Sequence, residues 1–144
     1  MAHANDSIVI NTDPETLWSL LTMPDQILQW TEGVDTINAT SNYPDEGSSF
    51  AWTYKVAGIN LKGTYRVAEV TPGEKIHYTI EGFVNGTQDW DLSQSGNAIK
   101  VDVTTDYELS GGVLGKIAEP VVHQTNAGNL KKSLANLKKL AEGG

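Results

Sequence analysis

Leu130, Leu134, Leu137 and Ala141 recur at spacings of 4, 3 and 4, one stripe of an α-helix. Lys131, Lys132, Lys138 and Lys139 flank that stripe, where the negative end of the helix dipole favours cations. Between Gly115 and Gly128 no glycine interrupts the chain, so the spacing predicts one long helix between Gly111 and Ala141. At ~1.5 Å per residue it would be about 40 Å long, enough to cross a small domain. A helix with one narrow apolar stripe must bury that stripe. Everything before it therefore has to supply the surface on which it lies.

Leu114, Ile117, Val121 and Thr125 form a second stripe. On an unbroken helix it points roughly opposite to the leucines, at ~100° per residue. Pro120 sits between the two stripes and predicts a bend or break, because proline removes a backbone donor. Gly111-Gly112 then reads as a hinge. The plainer alternative is that Val121 and Val122 cover a neighbouring element or a second copy of the chain.

The preceding residues read as strands. Ser7–Asn11 is a short β-branched run. Asp13-Pro14-Glu15 is a helix start, with a capping residue, a proline at the first helical position and an acid in the first turn. Leu17, Trp18, Leu20 and Leu21 make a short helix, and Pro24-Asp25 begins a second that ends at Trp30. From Val34 to Leu109 apolar residues alternate with polar ones between turn signals at 43–47, Gly58, Pro72-Gly73, Asn85-Gly86 and Ser95–Asn97. Six strands fit there, seven with 7–11. The alternation puts Phe50, Trp52, Tyr54 and Val56 on one face. Leu61, Tyr65, Val67 and Glu69 share that face, as do Ile76, Tyr78 and Ile80, then Trp90 and Leu92. Ile99, Val101, Val103, Thr105, Tyr107 and Leu109 complete it. Residues 34–41 are too mixed to assign to a face. The reading is α+β: a curled seven-stranded antiparallel sheet around a long C-terminal helix, covered on one side only. The first few residues and Gly143-Gly144 read as disordered ends.

Length and composition fit a single domain over 1–144. Net charge is −8, and no basic stripe offers phosphate contacts, which argues against nucleic acid. No apolar run reaches the roughly 18 residues of a membrane span. There is no cysteine, which excludes disulfides, thiolate metal sites and cysteine nucleophiles. The first residues lack a signal-peptide pattern, which points to the cytoplasm. Asn38-Ala39-Thr40 and Asn85-Gly86-Thr87 match a glycosylation acceptor, a pattern with meaning only on a secreted chain.

Ile8 to Trp18 (IVINTDPETLW), Pro24-Asp25 to Trp30, Gly47 to Tyr54, Thr71 to Ile76 (TPGEKI) and the terminal helix resemble the polyketide cyclase/dehydrase and lipid-transport proteins. These belong to the START and birch-pollen-allergen-like superfamily, SRPBCC. The likeness spans residues 7–141 and rests on structural motifs rather than chemical ones. It implies the helix-grip fold and a cavity between sheet and helix for an apolar or amphipathic small molecule. Carriers, sensors, cyclases and chaperone activators share that fold, which does not choose among them.

Six rings, Trp52, Tyr54, Tyr65, Tyr78, Trp90 and Tyr107, fall on the inward register. Tyrosine and tryptophan carry a polar atom that seeks a partner when buried. Apolar walls with a few polar tips are the mark of small-molecule sites; the alternative is that these rings fill a solid core. Ile117 and Val121 would complete the wall on the helix. Glu69 is the one acid on the inward register and, if buried, could act as a general acid or base; at a strand end it would instead be solvated. His123, near Pro120, could line the cavity mouth or lie half-exposed. His77 falls on the outward register. The histidines have no metal-ligand spacing, Met1-Ala2-His3 is at most an incidental copper chelate, and no cofactor is implied. Gly111–Gly115 lacks a phosphate-loop ending. Three functions remain open: a binder or carrier of a hydrophobic small molecule, a cyclase- or dehydrase-type enzyme using Glu69 or His123, and an interaction module. The chain would act as a monomer or homodimer.

Overall fold

The computed structural model describes residues 2–111 and 119–143. The elements run β1 (Ala2–Ile10), α1 (Pro14–Thr22), α2 (Pro24–Trp30), β2 (Val34–Ala39), β3 (Ser49–Val56), β4 (Ile59–Thr71), β5 (Lys75–Gly82), β6 (Val84–Ser95), β7 (Ala98–Leu109) and α3 (Glu119–Ala141). Seven antiparallel strands form one curled, open sheet in the order β1-β7-β6-β5-β4-β3-β2. The architecture is α+β, the helix-grip fold. The long helix packs against β1, α2 and α1.

Local chemistry explains the boundaries. The Asp13 carboxylate accepts from the Thr16 backbone N–H at 2.8 Å and the Thr16 hydroxyl at 3.0 Å, satisfying donors that the start of α1 leaves orphaned. Those bonds hold the Asp13 carboxyl below its usual range. The Trp30 indole donates to the Leu20 carbonyl at 2.8 Å and ties α2 to α1. Gly73 follows Pro72 with φ +79, the conformation that a type II turn requires.

The edge strand β1 is longer than its propensity suggests. Ala2 to Asp6 pair with Tyr107 to Val103, so these residues are strand rather than a disordered end. The twelve-residue β7 needs a partner for its backbone groups along its length, and that need overrides the weak β-propensity of Ala, Asn and Asp. The far end of β1 is closed by the helix. Lys138 Nζ donates to the Val9 carbonyl at 2.8 Å, and the Asn11 N–H donates to Glu142 Oε2 at 2.8 Å.

Two turn and register expectations are corrected. Asn85-Gly86 is not a turn but part of β6, where Gly86 pairs with Tyr107 and Ile80. The chain reverses at Gly82, with φ +127, and Phe83. In β4 the register shifts between Val67 and Glu69. The extra residue, Ala68, is a β-bulge, and a bulge turns the following side chains to the other face. Val70 therefore takes the inward place opposite Ile76, and Glu69 does not.

The helix presents one continuous inner face rather than two opposed ones. Val122, Asn126, Asn129, Ser133, Leu137 and Ala141 follow at 4, 3, 4, 4 and 4. Val122 is wholly buried and Val121 is 41% exposed. Pro120 stands near the start of α3, a position that tolerates proline, and the residues just before it, where the expected break would fall, lie outside the described residues. The expected hinge partner Gly112, with Leu114 and Ile117, lies outside the described residues.

Candidate ligand-binding site

The two halves of α3 meet different surroundings. Leu134, Leu137 and Ala141 pack in the hydrophobic core with Ile10, Leu17 and Leu20 and do not line the cavity. Asn126, Asn129, Leu130 and Ser133 instead face a cavity of about 160 Å³. Its opposite wall is made of rings: Trp52, Tyr54, Tyr65, Tyr78, Trp90 and Tyr107 all line it. The structure thus brings together the six aromatic residues that alternation placed inward. Phe50, Phe83, Val34, Ile37 and Trp30 add apolar surface. Strand pleating explains the wall, since alternate residues on neighbouring strands share a face. Trp52 stands edge-on to Tyr54, Tyr65 and Phe83, each with centroids 5.2 Å away. Gly63, opposite Trp52 on β4, makes room for that indole: a Cβ there would lie 3.2 Å from the ring.

The polar tips are held from several sides. Asn129 Nδ2 donates to the Tyr54 oxygen at 2.7 Å. Burial pushes the Tyr54 phenol up to about 12, the Asn129 bond offsetting part of the shift. Tyr65 is driven further up, chiefly by burial, with the Gln88 amide partly countering it. Gln88 also joins Trp90 to Thr105: its Oε1 accepts from the Trp90 indole at 2.8 Å, and its Nε2 donates to Thr105 Oγ1 at 3.1 Å. Tyr43 donates to the Leu21 carbonyl at 3.2 Å, so its contact with Tyr78 at 2.6 Å takes the Tyr78 proton. Burial raises both phenols, Tyr43 to about 12.

At the helix end of the cavity the Tyr107 hydroxyl lies 2.6 Å from His123 Nδ1, and His123 Nε2 lies 3.1 Å from Glu119 Oε1. A carboxylate only accepts, so neutral His123 carries its proton on Nε2 and receives the Tyr107 proton bond on Nδ1. The chain Tyr107–His123–Glu119 leads from the cavity wall to an exposed carboxylate, the Glu119 side chain being 59% exposed. Burial raises the Tyr107 phenol, the polar Asn126 side chain lowering it in part.

Several expected site residues lie elsewhere. Val121 points to solvent, one helical step of ~100° away from the buried Val122. Ile117 lies outside the described residues. Glu69, turned out by the bulge, has a side chain 49% exposed and paired with Lys75. The Lys75 hydrogen bond and charge hold its carboxyl below the usual range, the opposite of what a buried general acid requires. His123 does not itself line the cavity but bonds to Tyr107, which does. His77 sits outward, its Nε2 2.9 Å from Asp91 Oδ1. Among the described residues no three His, Cys, Asp or Glu side chains are grouped to hold a metal ion. None of the described helices is long and apolar enough to cross a membrane.

Alternation alone does not find Phe83, Asn126, Asn129 or Ser133, and Gln88, which shares the inward phase of Trp90, escapes a search for apolar rings because it is polar. Phe83 hides behind the Asn-Gly turn signal. The polar helix residues are invisible to a search for apolar periodicity, although they continue the leucine stripe at helical spacing.

The fold is widely shared. The chain superposes on TTHA0849 from Thermus thermophilus with a TM-score of 0.79 at 15% identity, covering 99% of this chain and 100% of that one. The ginseng major latex-like protein 151 from Panax ginseng gives 0.73 at 14% identity, with 97% of each chain covered. The Aha1 dimer from Colwellia psychrerythraea gives 0.70 at 18%, covering 100% and 98%. No curated protein sequence matches the chain significantly. A family model does, from residue 1 to residue 142, and with it the chain belongs to the polyketide cyclase / dehydrase and lipid transport family.

Proposed function

We propose that the protein binds a small hydrophobic or amphipathic molecule between the ring-bearing sheet face and the polar middle of α3. The observation that carries this reading is the aromatic-walled cavity of about 160 Å³. An apolar cavity of ~150 Å³ is enough to bind benzene. At a packing density of ~0.74 this one holds about 120 Å³ of ligand, a one-ring molecule with a short substituent. Family membership supports a hydrophobic ligand in general terms.

Two measurements test the reading. Mass spectrometry of the native protein looks for copurifying small molecules. Titration with ethylbenzene, followed by amide chemical shifts, is expected to move residues on β3, β4 and mid-α3, with a dissociation constant in the ~μM to sub-mM range. The absence of both, no copurifying molecule and no shifts at those residues, would refute it.

A second reading, a proton-transfer enzyme, is favoured by one observation, the Tyr107–His123–Glu119 chain. Tyr107 would take a proton from a bound ligand while its own proton passes to His123 Nδ1, and the Glu119 charge would stabilise the imidazolium. Hydrogen–deuterium exchange at the methyl group of bound acetophenone, read by NMR in D2O, tests it. Exchange faster than in buffer and lost in Tyr107→Phe and His123→Gln supports the enzyme. Binding without such exchange leaves a binder. An interaction module lacks comparable support: among the described residues the large exposed apolar side chains, Val9, Met23 and Val121, sit on separate parts of the fold.

A further inference from the structure

Counting protons in the cavity narrows the ligand further. Tyr78 spends its proton on Tyr43, which in turn donates to a backbone carbonyl. Tyr107 spends its proton on His123. Trp90 and Trp30 donate to Gln88 and to the Leu20 carbonyl. Tyr54 differs: its oxygen accepts from Asn129, and its own proton has no acceptor among the described residues. Tyr65 is alike: it lines the cavity, and its hydroxyl donates to no described residue. Between these two stands Trp52, 7% exposed, whose indole N–H is buried and unpartnered. Two spare hydroxyl donors thus share the β3–β4 wall, beside an indole N–H sealed within it.

Charge on the same wall runs against anions. Among the described lining residues there is no lysine or arginine, and the single charged side chain is Glu32, exposed at the rim. Its charge is felt inside, where it adds to the raised pKa of Tyr54. A carboxylate entering here would be desolvated without a counter-ion, at a heavy cost.

Resting on the binding reading above, we infer that the cavity selects a neutral ligand of about one ring that carries a hydrogen-bond acceptor, such as a ketone, amide or lactone oxygen. That oxygen is directed at the Tyr54 and Tyr65 hydroxyls. Carboxylate-headed molecules of the same skeleton are rejected.

Three probes of one carbon skeleton or close to it separate the terms: ethylbenzene, acetophenone and benzoate, each titrated calorimetrically into the wild type, Tyr54→Phe and Tyr65→Phe. Thermal melts and near-UV circular dichroism check that both variants keep the fold. The expected result is a three- to tenfold loss of acetophenone affinity in at least one variant, the size of a neutral hydrogen bond. Ethylbenzene is expected to lose clearly less affinity than acetophenone in the same variant, and benzoate to bind at least about a hundredfold more weakly than acetophenone. Acetophenone insensitive to both variants, or benzoate binding as well as the ketone, overturns the inference while ethylbenzene binding still upholds the cavity. Failure of both neutral probes to bind removes the binding reading and this inference with it.

Discussion

All five tyrosines have phenols pushed above their ordinary value by burial, and raising the pH is a direct probe of the ring wall. Tyr54 is the best case to work through, at 7% exposure and a pKa of about 12 against an ordinary 10.0. At pH 10.5 such a phenol is about 3% ionised, whereas a free one is about 75% ionised. The sign follows from linkage. A folded pKa above the unfolded one means the fold favours the neutral form. The stability this gives is intact below pH ~10 and is lost as pH rises towards ~12. For Tyr54 the loss at pH 11 is about 1.4 kcal/mol. The other four act in the same direction, against a typical total stability of roughly 5–15 kcal/mol. The expected outcome is a native protein in which Tyr43, Tyr54, Tyr65 and Tyr78 contribute almost no phenolate absorbance at pH 10.5, followed by cooperative unfolding between about pH 11 and 12 in which absorbance and circular dichroism change together. A denatured control should titrate near 10. Two or more phenols ionising near pH 10 with the circular dichroism intact would refute the claim that the wall faces inward.

Other perturbations have equally defined results. Gly86→Ala would place a Cβ 1.9 Å from the Asp106 carbonyl and 2.8 Å from the Tyr107 Cα; parting β6 from β7 should cost about 3 kcal/mol or more in a denaturant melt. Val122→Ala, at a wholly buried site, should cost about 2 kcal/mol, while Val121→Ala should stay within about 0.5 kcal/mol; the reverse order would mean that the helix is rotated by one step. Glu69→Gln removes an exposed ion pair and should leave ethylbenzene affinity unchanged in calorimetry, since the side chain stands outside the cavity.

Strand alternation carries most of the site because pleating is a strict period of two. Trp52, Tyr54, Tyr65, Tyr78, Trp90 and Tyr107 face the cavity as that period requires. The rule fails at Ala68, where one inserted residue reverses the phase, and a bulge leaves no mark in composition. It fails again at Asn85-Gly86, a strong hairpin signal overridden by a close approach of backbones: the glycine is needed because the Asp106 carbonyl oxygen leaves no room for a Cβ. Residues 34–41 resist assignment for a related reason, a register shift between Val34 and Thr36. On the helix, apolar spacing alone picks Val121 over Val122, because it counts only apolar residues as inward. Asn126 and Asn129 are inward too, and counting them restores a single face.

Those polar residues also bear on why the gap persists. A helix lying on a solid core has no use for Asn126, Asn129 and Ser133 on its inner side, since each buried amide or hydroxyl must find a partner or lose its hydration without return. Here two of them find partners and the third stands on the cavity wall. Asn129 holds the Tyr54 oxygen, Ser133 Oγ accepts from the Glu32 N–H at 2.8 Å, and Asn126 lines the cavity with Tyr107. Each bond fixes helix to sheet, or to the loop beside it, through a side chain with a definite reach. Collapse of α3 onto the rings would break the bonds that anchor it. The rings resist from their own side, because Trp52, Tyr54, Tyr65 and Phe83 are wedged edge to face or stacked and have few rotamers with which to swing inward. A polar helix face and an aromatic sheet face thus act as spacers, and the space between them is a consequence of what each must bond to.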